Sequence, residues 1–411
     1  MSGLRVVDLS KVLAGPLCGQ FLGALGADVL KVEPIGGGDD TRAWPPRHGN
    51  QSATFLAVNH NKRSLTVDLK SPEGQRLVHR LVAGADIVIQ GFGAGTAAKL
   101  AVDHDTLREL NPRLIYVEIS GYGRTGPLGD EPGYDVMLQA FSGMISTMGE
   151  PEGRYARAPF SPVDLGTGSY ALSGVLAAVI ERERTGTGSY VEVSLLDTAI
   201  SQMGYLAQNY WASGEAPRRM GTGHPALCPY QAFETSDGDL MVGVGNDAQW
   251  RRLCAAASLD DLLEDPRFAT TASRVAHREV TVRLVADVIR RRTTEAWLTL
   301  LRSSGVPCSP INTLAQALGH PQVDARELLV RYADPVLGPV QTVGLPVKFD
   351  GQPRDITRPA PLLGQHTEDV LGELGLSPEE VRSLVERGVV AQGVDVEDGL
   401  APAARDARGV E

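Results

Sequence analysis

The chain predicts an α/β protein: a large doubly wound domain on a parallel sheet, joined to a smaller α/β domain. Three observations carry this prediction. Strand-like apolar runs alternate with helix-like segments through the first half of the sequence. One of them, Ala85-Asp86-Ile87-Val88-Ile89, has the apolar density of a buried strand. After Asp197 the alternation stops, and from Pro229 a new unit opens with a hairpin signal.

Taken in order, Leu4 to Leu9 is the first strand, followed by Ala14-Gly15-Pro16 and a helical pattern through Leu25. Ala27 to Val32 and Ser64 to Leu69 are the next two strands. Ser71 suits an N-cap and Pro72 a first helical turn, so a helix runs over Glu73 to Val82. Leu114 to Ile119 is a further strand. Between Ser169 and Glu183, Leu172, Val175, Leu176, Val179 and Ile180 have the spacing of an amphipathic helix. Thr185-Gly186-Thr187-Gly188 ends it, Tyr190 to Leu196 gives one more strand, and Ala199 to Trp211 is helical. The second unit starts with Tyr230 to Thr235 and Asp239 to Val244 around Ser236-Asp237-Gly238, then helices near Trp250 and over Val280 to Arg291. Thr367 to Leu374 is helical. The expected organisation is therefore a large domain over 1–198, a linker and loop over 199–228, a small domain over 229–321, a return segment over 322–392, and a mobile, acidic, Ala/Gly-rich tail over 393–411.

Composition narrows the function. Of 411 residues, 42% are hydrophobic and 22% charged, an ordinary globular balance. A formal net charge of −11 argues against a nucleic-acid surface. Cys18, Cys228, Cys254 and Cys308 are too far apart for a zinc site or a disulfide framework, so no metal is expected. The start lacks a basic leader, and the longest strongly apolar run, Ala171 to Ile180, is too short for a bilayer. A cytoplasmic enzyme without a membrane partner is expected.

Asp164 stands in Ser161-Pro162-Val163-Asp164-Leu165-Gly166-Thr167-Gly168, just before the helix expected from Ser169. Free amides and the helix dipole there keep a carboxylate ionised, as a nucleophile requires. Capping the helix or bending the chain explains the same residue. Gly91-Phe92-Gly93-Ala94-Gly95 follows a strand and suits a phosphate cradle, but lacks the P-loop lysine, and a tight turn explains its glycines equally well. Lys11, Lys31, Asn61-Lys62-Arg63 and Lys70 flank strands, where they suit cofactor phosphates or are solvated surface charges. His224, after Gly221-Thr222-Gly223, is a lone loop histidine, and the G-x-S-x-G of an α/β-hydrolase is absent.

Together these segments resemble the class III CoA-transferases, the family of formyl-CoA, carnitine and dicarboxylate CoA-transferases with their α-methylacyl-CoA racemase relatives. The resemblance runs from Val6 to about Leu374. It rests on Val7-Asp8-Leu9-Ser10 with Ala14-Gly15-Pro16, on Gly26 to Pro34, on Asn61-Lys62-Arg63-Ser64, on Gly121-Tyr122-Gly123 with Gly126-Pro127, and on Pro361 to Thr367. Their shared order and spacing is specific; no single one decides.

The resemblance implies an interlocked homodimer and a covalent route. Asp164 attacks the donor thioester to give a mixed anhydride, the CoA thiolate returns to form an aspartyl-CoA thioester, and a free carboxylic acid then takes the CoA. It implies CoA contacts at Val12, Leu13 and Ala14, at Val67, Asp68, Leu69 and Lys70, at Phe92 and Gly93, and at Lys99, Tyr134 and Asp135. Coenzyme A and acyl-CoA are then substrates, and no tightly bound cofactor is implied. Two departures stand out: Pro34 replaces an arginine near the adenine, and the family's glycine loop is reduced to Met220-Gly221-Thr222-Gly223. A racemase uses a histidine where this chain has Tyr134, so transfer is favoured over epimerisation; a non-catalytic CoA-binding protein is the other alternative. For the acids, Arg157 and Arg219 are candidates to hold a far carboxylate, with His224 and the loop glycines nearby in sequence, and the expected pair is succinyl-CoA and a small dicarboxylate.

Overall fold

The computed structural model describes residues 1–393; the expected tail lies outside these apart from Gly393. The chain divides into two compact units. One holds residues 1–142, 158–208 and the chain from Asp324; the other holds 143–157 and 209–323. Segment 143–157, inside the expected large domain, thus groups with the second unit, and the expected linker divides after Gln208.

The first unit is organised by a sheet of β1 (Arg5–Asp8), β2 (Asp28–Glu33), β3 (Lys62–Val67), β4 (Ile87–Gln90), β5 (Ile115–Ser120) and β6 (Tyr190–Ser194). These six are parallel in the order 3-2-1-4-5-6. The order reverses between β1 and β4, and the crevice beyond the carboxyl ends of those strands is where open α/β sheets bind ligands. Val390–Ala391 closes the β3 edge as an antiparallel partner of Thr66 and Val67. The closing motif is tied to the same strand: Gly364 N–H donates to Ser64 Oγ (3.0 Å), and Ser64 N–H to His366 Nδ1 (3.1 Å).

One face of the sheet carries the apolar core: Val7, Leu30, Leu65 and Val88 pack with Leu77, Val78, Leu371 and Leu384 from the helices Pro72–Ala83, Thr367–Glu373 and Pro378–Glu386. The first of these helices starts as the sequence predicts, Ser71 Oγ accepting from Gly74 N–H at 3.0 Å with Pro72 in the first turn. The opposite face is covered by α1 (Ala14–Ala24) and α2 (Pro162–Thr185). Here β1 to β3 alternate apolar residues with Asp8, Lys31, Glu33, Lys62 and Ser64, all buried.

Those residues correct the expectation for the basic strand positions. Lys31 and Lys62 are 0% exposed and serve neither phosphates nor solvent. Lys62 Nζ donates to Asp8 (2.8 Å), the Pro16 carbonyl (2.8 Å) and Asn59 Oδ1 (2.9 Å). Burial alone would raise the Asp8 carboxyl, but Lys62 and Lys31 outweigh it and hold it below its ordinary value. Burial pulls Lys62 down to about 8, against the attraction of Asp8.

The 24-residue α2 starts at Pro162, seven residues before its expected start, because close packing tolerates its glycines. A Cβ on Gly168 would stand 2.6 Å from the Ala14 carbonyl oxygen, so only glycine lets α2 approach the head of α1 this closely. Its buried residues are Val163, Thr167, Gly168, Ala171, Val175, Ala178 and Arg182; of the apolar positions expected to pack only Val175 is among them, and Ile180 is 74% exposed. By length and composition α2 is apolar enough to cross a membrane, unlike the short run seen in sequence; here it packs on α1, β5 and β6. The helix expected over Ala199 to Trp211 is two, Leu195–Gln202 and Gly204–Ser213.

In the second unit, Tyr230–Glu234, Asp239–Gly243 and Cys308–Pro310 form an antiparallel sheet. It packs with the helices Asp247–Ala257, Arg278–Ile289 and Thr294–Ser303 around Phe233, Trp250 and Trp297.

Candidate active site

A cleft of about 290 Å³ opens at the reversal point of the sheet. Its walls are the loop Ser10–Ala14 after β1, the turn Gly91–Gly93 after β4, and Ser120, Gly121 and Arg124 after β5, with Gly133, Tyr134 and Asp164. Of the predicted contacts, Val12, Leu13, Ala14, Phe92, Gly93 and Tyr134 are thus brought together with Asp164. Val67 is buried in the sheet beside Val390, and Asp68 N–H bonds the Val389 carbonyl. Lys70 and Lys99 are exposed, and neither these nor Asp68 and Leu69 line the cleft. The expected phosphate cradle lines the cleft at Gly91, Phe92 and Gly93 and leads into the four-residue helix Thr96–Lys99.

Asp164 lies in the first turn of α2. Ser161, with φ 52°, turns the chain into Pro162, and no side chain at the N-cap serves the free amides. Asp135 serves them instead: its Oδ2 accepts from Val163 N–H (2.8 Å) and Asp164 N–H (3.2 Å). Asp135 is only 6% exposed, and its other oxygen accepts from Gln139 Nε2. Gln139 is fixed in turn by Ala158, whose N–H donates to Oε1 at 3.0 Å and whose carbonyl accepts from Nε2 at 3.2 Å. Asp135 is a buried acceptor that builds the turn, a role with no local sequence signal because it acts across 28 residues.

The amides expected to keep Asp164 ionised are therefore spent on Asp135. Burial, and then the Asp135 carboxylate, push the Asp164 carboxyl up to about 7, the reverse of the expected direction. The cleft also contains Arg124, a charge that the sequence did not single out, and Lys11, one of the strand-flanking basic residues that it did. Arg124 donates through Nε to Glu118 and through Nη2 to the Phe92 carbonyl (2.6 Å), bracing the Gly91–Gly93 turn. Lys11 faces Asp40 at 3.6 Å.

The remaining candidates belong to the second unit. Arg219 donates to the carbonyls of Glu150 (3.1 Å), Pro151 (3.1 Å) and Gly153 (3.2 Å) and lies over the Tyr155 ring. It anchors that turn. Arg157 is exposed. Gly221 has φ 57°, and its N–H donates to the Gly149 carbonyl at 2.9 Å, while Gly223 N–H bonds the Met220 carbonyl. His224 Nδ1 accepts from Ala226 N–H at 3.1 Å.

A family model described as CoA-transferase family III matches residues 1–367. The chain belongs to that family. It is 41% identical over 91% of its length to a succinate–glutarate CoA-transferase of Agrobacterium fabrum, covering 95% of that protein. It is 35% identical over 95% of its length to a human succinyl-CoA:glutarate CoA-transferase, covering 90% of that protein. Among solved structures, a CaiB/BaiF family protein from Brucella suis matches with a TM-score of 0.80 at 38% identity, over 91% of this chain and 98% of that one. This class III CoA-transferase thus has a carboxylate, Asp164, in the cleft at the reversal point of its parallel strands.

Proposed function

We propose that this transferase moves CoA from succinyl-CoA to a small dicarboxylic acid, with Asp164 as the covalent nucleophile. The observation that carries the proposal is the Asp164 carboxylate itself: it lines the cleft, at the head of a helix whose amides are already taken by Asp135. A partly buried carboxylate beside another carboxylate is more basic, and so more nucleophilic, than a fully solvated one.

Asp164 attacks the succinyl thioester carbonyl; the C–S bond breaks and CoA leaves as thiolate, giving a succinyl–aspartyl anhydride. The thiolate attacks the Asp164 carbonyl of that anhydride, releasing succinate and leaving an aspartyl-CoA thioester. The acceptor carboxylate attacks this thioester, again freeing thiolate, and the new anhydride is opened by thiolate at the acceptor carbonyl. Acceptor-CoA leaves and the Asp164 carboxylate is regenerated. Exclusion of water protects each activated acyl group.

The Agrobacterium and human relatives, both named for glutarate, support a five-carbon acceptor. Tyr134 supports transfer over epimerisation, since the racemases use a histidine base at this position and a phenol is a poor substitute for it. A homodimer, interlocked as in the family, is supported by Tyr134, Met137, Phe141, Ile180, Ile200 and Tyr205, all at least half exposed. The test is CoA exchange read by mass with succinyl-CoA and a panel of acids. Dicarboxylates, glutarate first, are expected to accept; monocarboxylates accepting equally well would overturn the acceptor assignment. Hydroxylamine added with succinyl-CoA is expected to leave a hydroxamate on Asp164; modification elsewhere would overturn the nucleophile.

A further inference from the structure

The loop that lines the cleft after β1 holds an unfavourable conformation. Val12 has φ 72°, and a β-branched residue is seldom found in this left-handed region. Its two grips come from below. The Val12 amide lies 3.2 Å from each carboxylate oxygen of Asp39. Asp39 is 0% exposed and paired at 2.9 Å with Lys31, whose ammonium also donates to the Ser10 carbonyl at 2.9 Å. One buried ion pair thus holds Ser10-Lys11-Val12 at both ends. The pair is itself fixed: Asp39 N–H donates to Glu33 (3.0 Å), and Asp39 accepts from Thr41 N–H (3.0 Å) and Oγ1 (2.8 Å).

Burying two charges is seldom the cheapest way to fill a core, so a buried pair needs a reason other than stability. We propose that Lys31 and Asp39 are positioning residues for acyl-CoA: their pair holds Val12 left-handed so that the Ser10–Ala14 backbone faces the ligand. Neither residue lines the cleft. The inference rests on the assignment of the cleft to acyl-CoA.

The test compares wild type with the charge-free pair Lys31→Met/Asp39→Asn, each with Val12 and with Val12→Gly. Calorimetry with CoA and steady-state kinetics with succinyl-CoA are the readouts. With valine at position 12, the double variant should raise the CoA dissociation constant and KM about tenfold, with kcat changed less than about threefold. With glycine, which takes positive φ freely, the same double change should cost less than about threefold. An equal loss in both backgrounds, or a loss confined to kcat, overturns the proposal. Val12→Gly alone keeps the test decisive if the double variant does not fold. It should unfold at the same or a higher temperature than wild type, and a lower unfolding temperature overturns the strain. Wild type failing to bind CoA would instead sink the cleft assignment, whatever the variants do.

Discussion

The first unit buries carboxylates in two ways. Beneath the Ser10–Ala14 loop, each has a cation at hydrogen-bond distance: Asp8 with Lys62, Asp39 with Lys31, Glu33 with Arg42. At the head of α2 no cation pairs with either carboxylate among the described residues, and Asp135 accepts only amide N–H groups. The consequences are opposite. Despite burial, Asp8, Glu33 and Asp39 are held below their ordinary values, whereas Asp164 is driven up to about 7. The paired carboxylates contribute stability that is present above about pH 4 and lost on acidification. Asp164 does the reverse, losing stability as pH rises from about 4 to about 7. Complete pairing makes a scaffold, and an unpaired carboxylate makes a reactive group.

The strongest way to break this contrast is Asp164→Asn. Turnover should fall by about 10⁴-fold or more, as loss of a covalent nucleophile does. The same change should raise the unfolding temperature by a few degrees at pH 8 and by less at pH 5, where the native Asp164 is protonated. Retained turnover, or a lower unfolding temperature at pH 8, would break the assignment.

Lys62→Met probes the other region. It leaves Asp8 without its closest cation and should cost about 3–5 kcal/mol in urea unfolding, as removal of one buried partner does. A loss below about 1 kcal/mol, the range of a surface pair, would show that the floor is not built on charge pairing.

Asp135→Asn sharpens the comparison. In wild type, kcat/KM should rise with pH toward a plateau above about 7, because the ionised Asp164 is the nucleophile. Removing the Asp135 charge should move that midpoint down by about one pH unit. It should not reach the ordinary carboxylate value, because burial is the larger cause. An unmoved midpoint would leave burial as the whole cause.

The smallest effect is expected from Tyr134→Phe, a few-fold loss of transfer from one hydrogen bond. In deuterated water, a 2-methylacyl-CoA should show little α-proton exchange while CoA transfer completes many turnovers. Rapid exchange without acid-dependent transfer would identify an epimerase.

The parallel strands were legible because their apolar runs are local, and Asp164 because its glycine-rich context and the family motifs are local. The floor was not. Lys31 and Lys62 look like surface lysines until the register sets Asp8 beside Lys31 and puts Lys62 on the same face. The true start of α2 was hidden for a related reason: Gly166 and Gly168 depress helix propensity, and their value lies in contacts with Gln202 and Ala14 far along the chain. The resemblance implies only a ligand contact at Asp135; its capping role has no local signal, because the amides it serves lie 28 residues or more along the chain.

The short strand Val390–Ala391 has a consequence for how the protein is made. It lies beside β3, about 320 residues upstream, and closes that edge of the sheet. The second unit, by contrast, has its last residue at Val323. During synthesis from the N-terminus, the unit that begins first is therefore the last to be completed. While the ribosome adds the final residues, β3 presents an open row of amides and carbonyls, a template for pairing with other chains. The nascent chain is most exposed to aggregation in that interval, and truncation shortly before Val390 would make the exposure permanent.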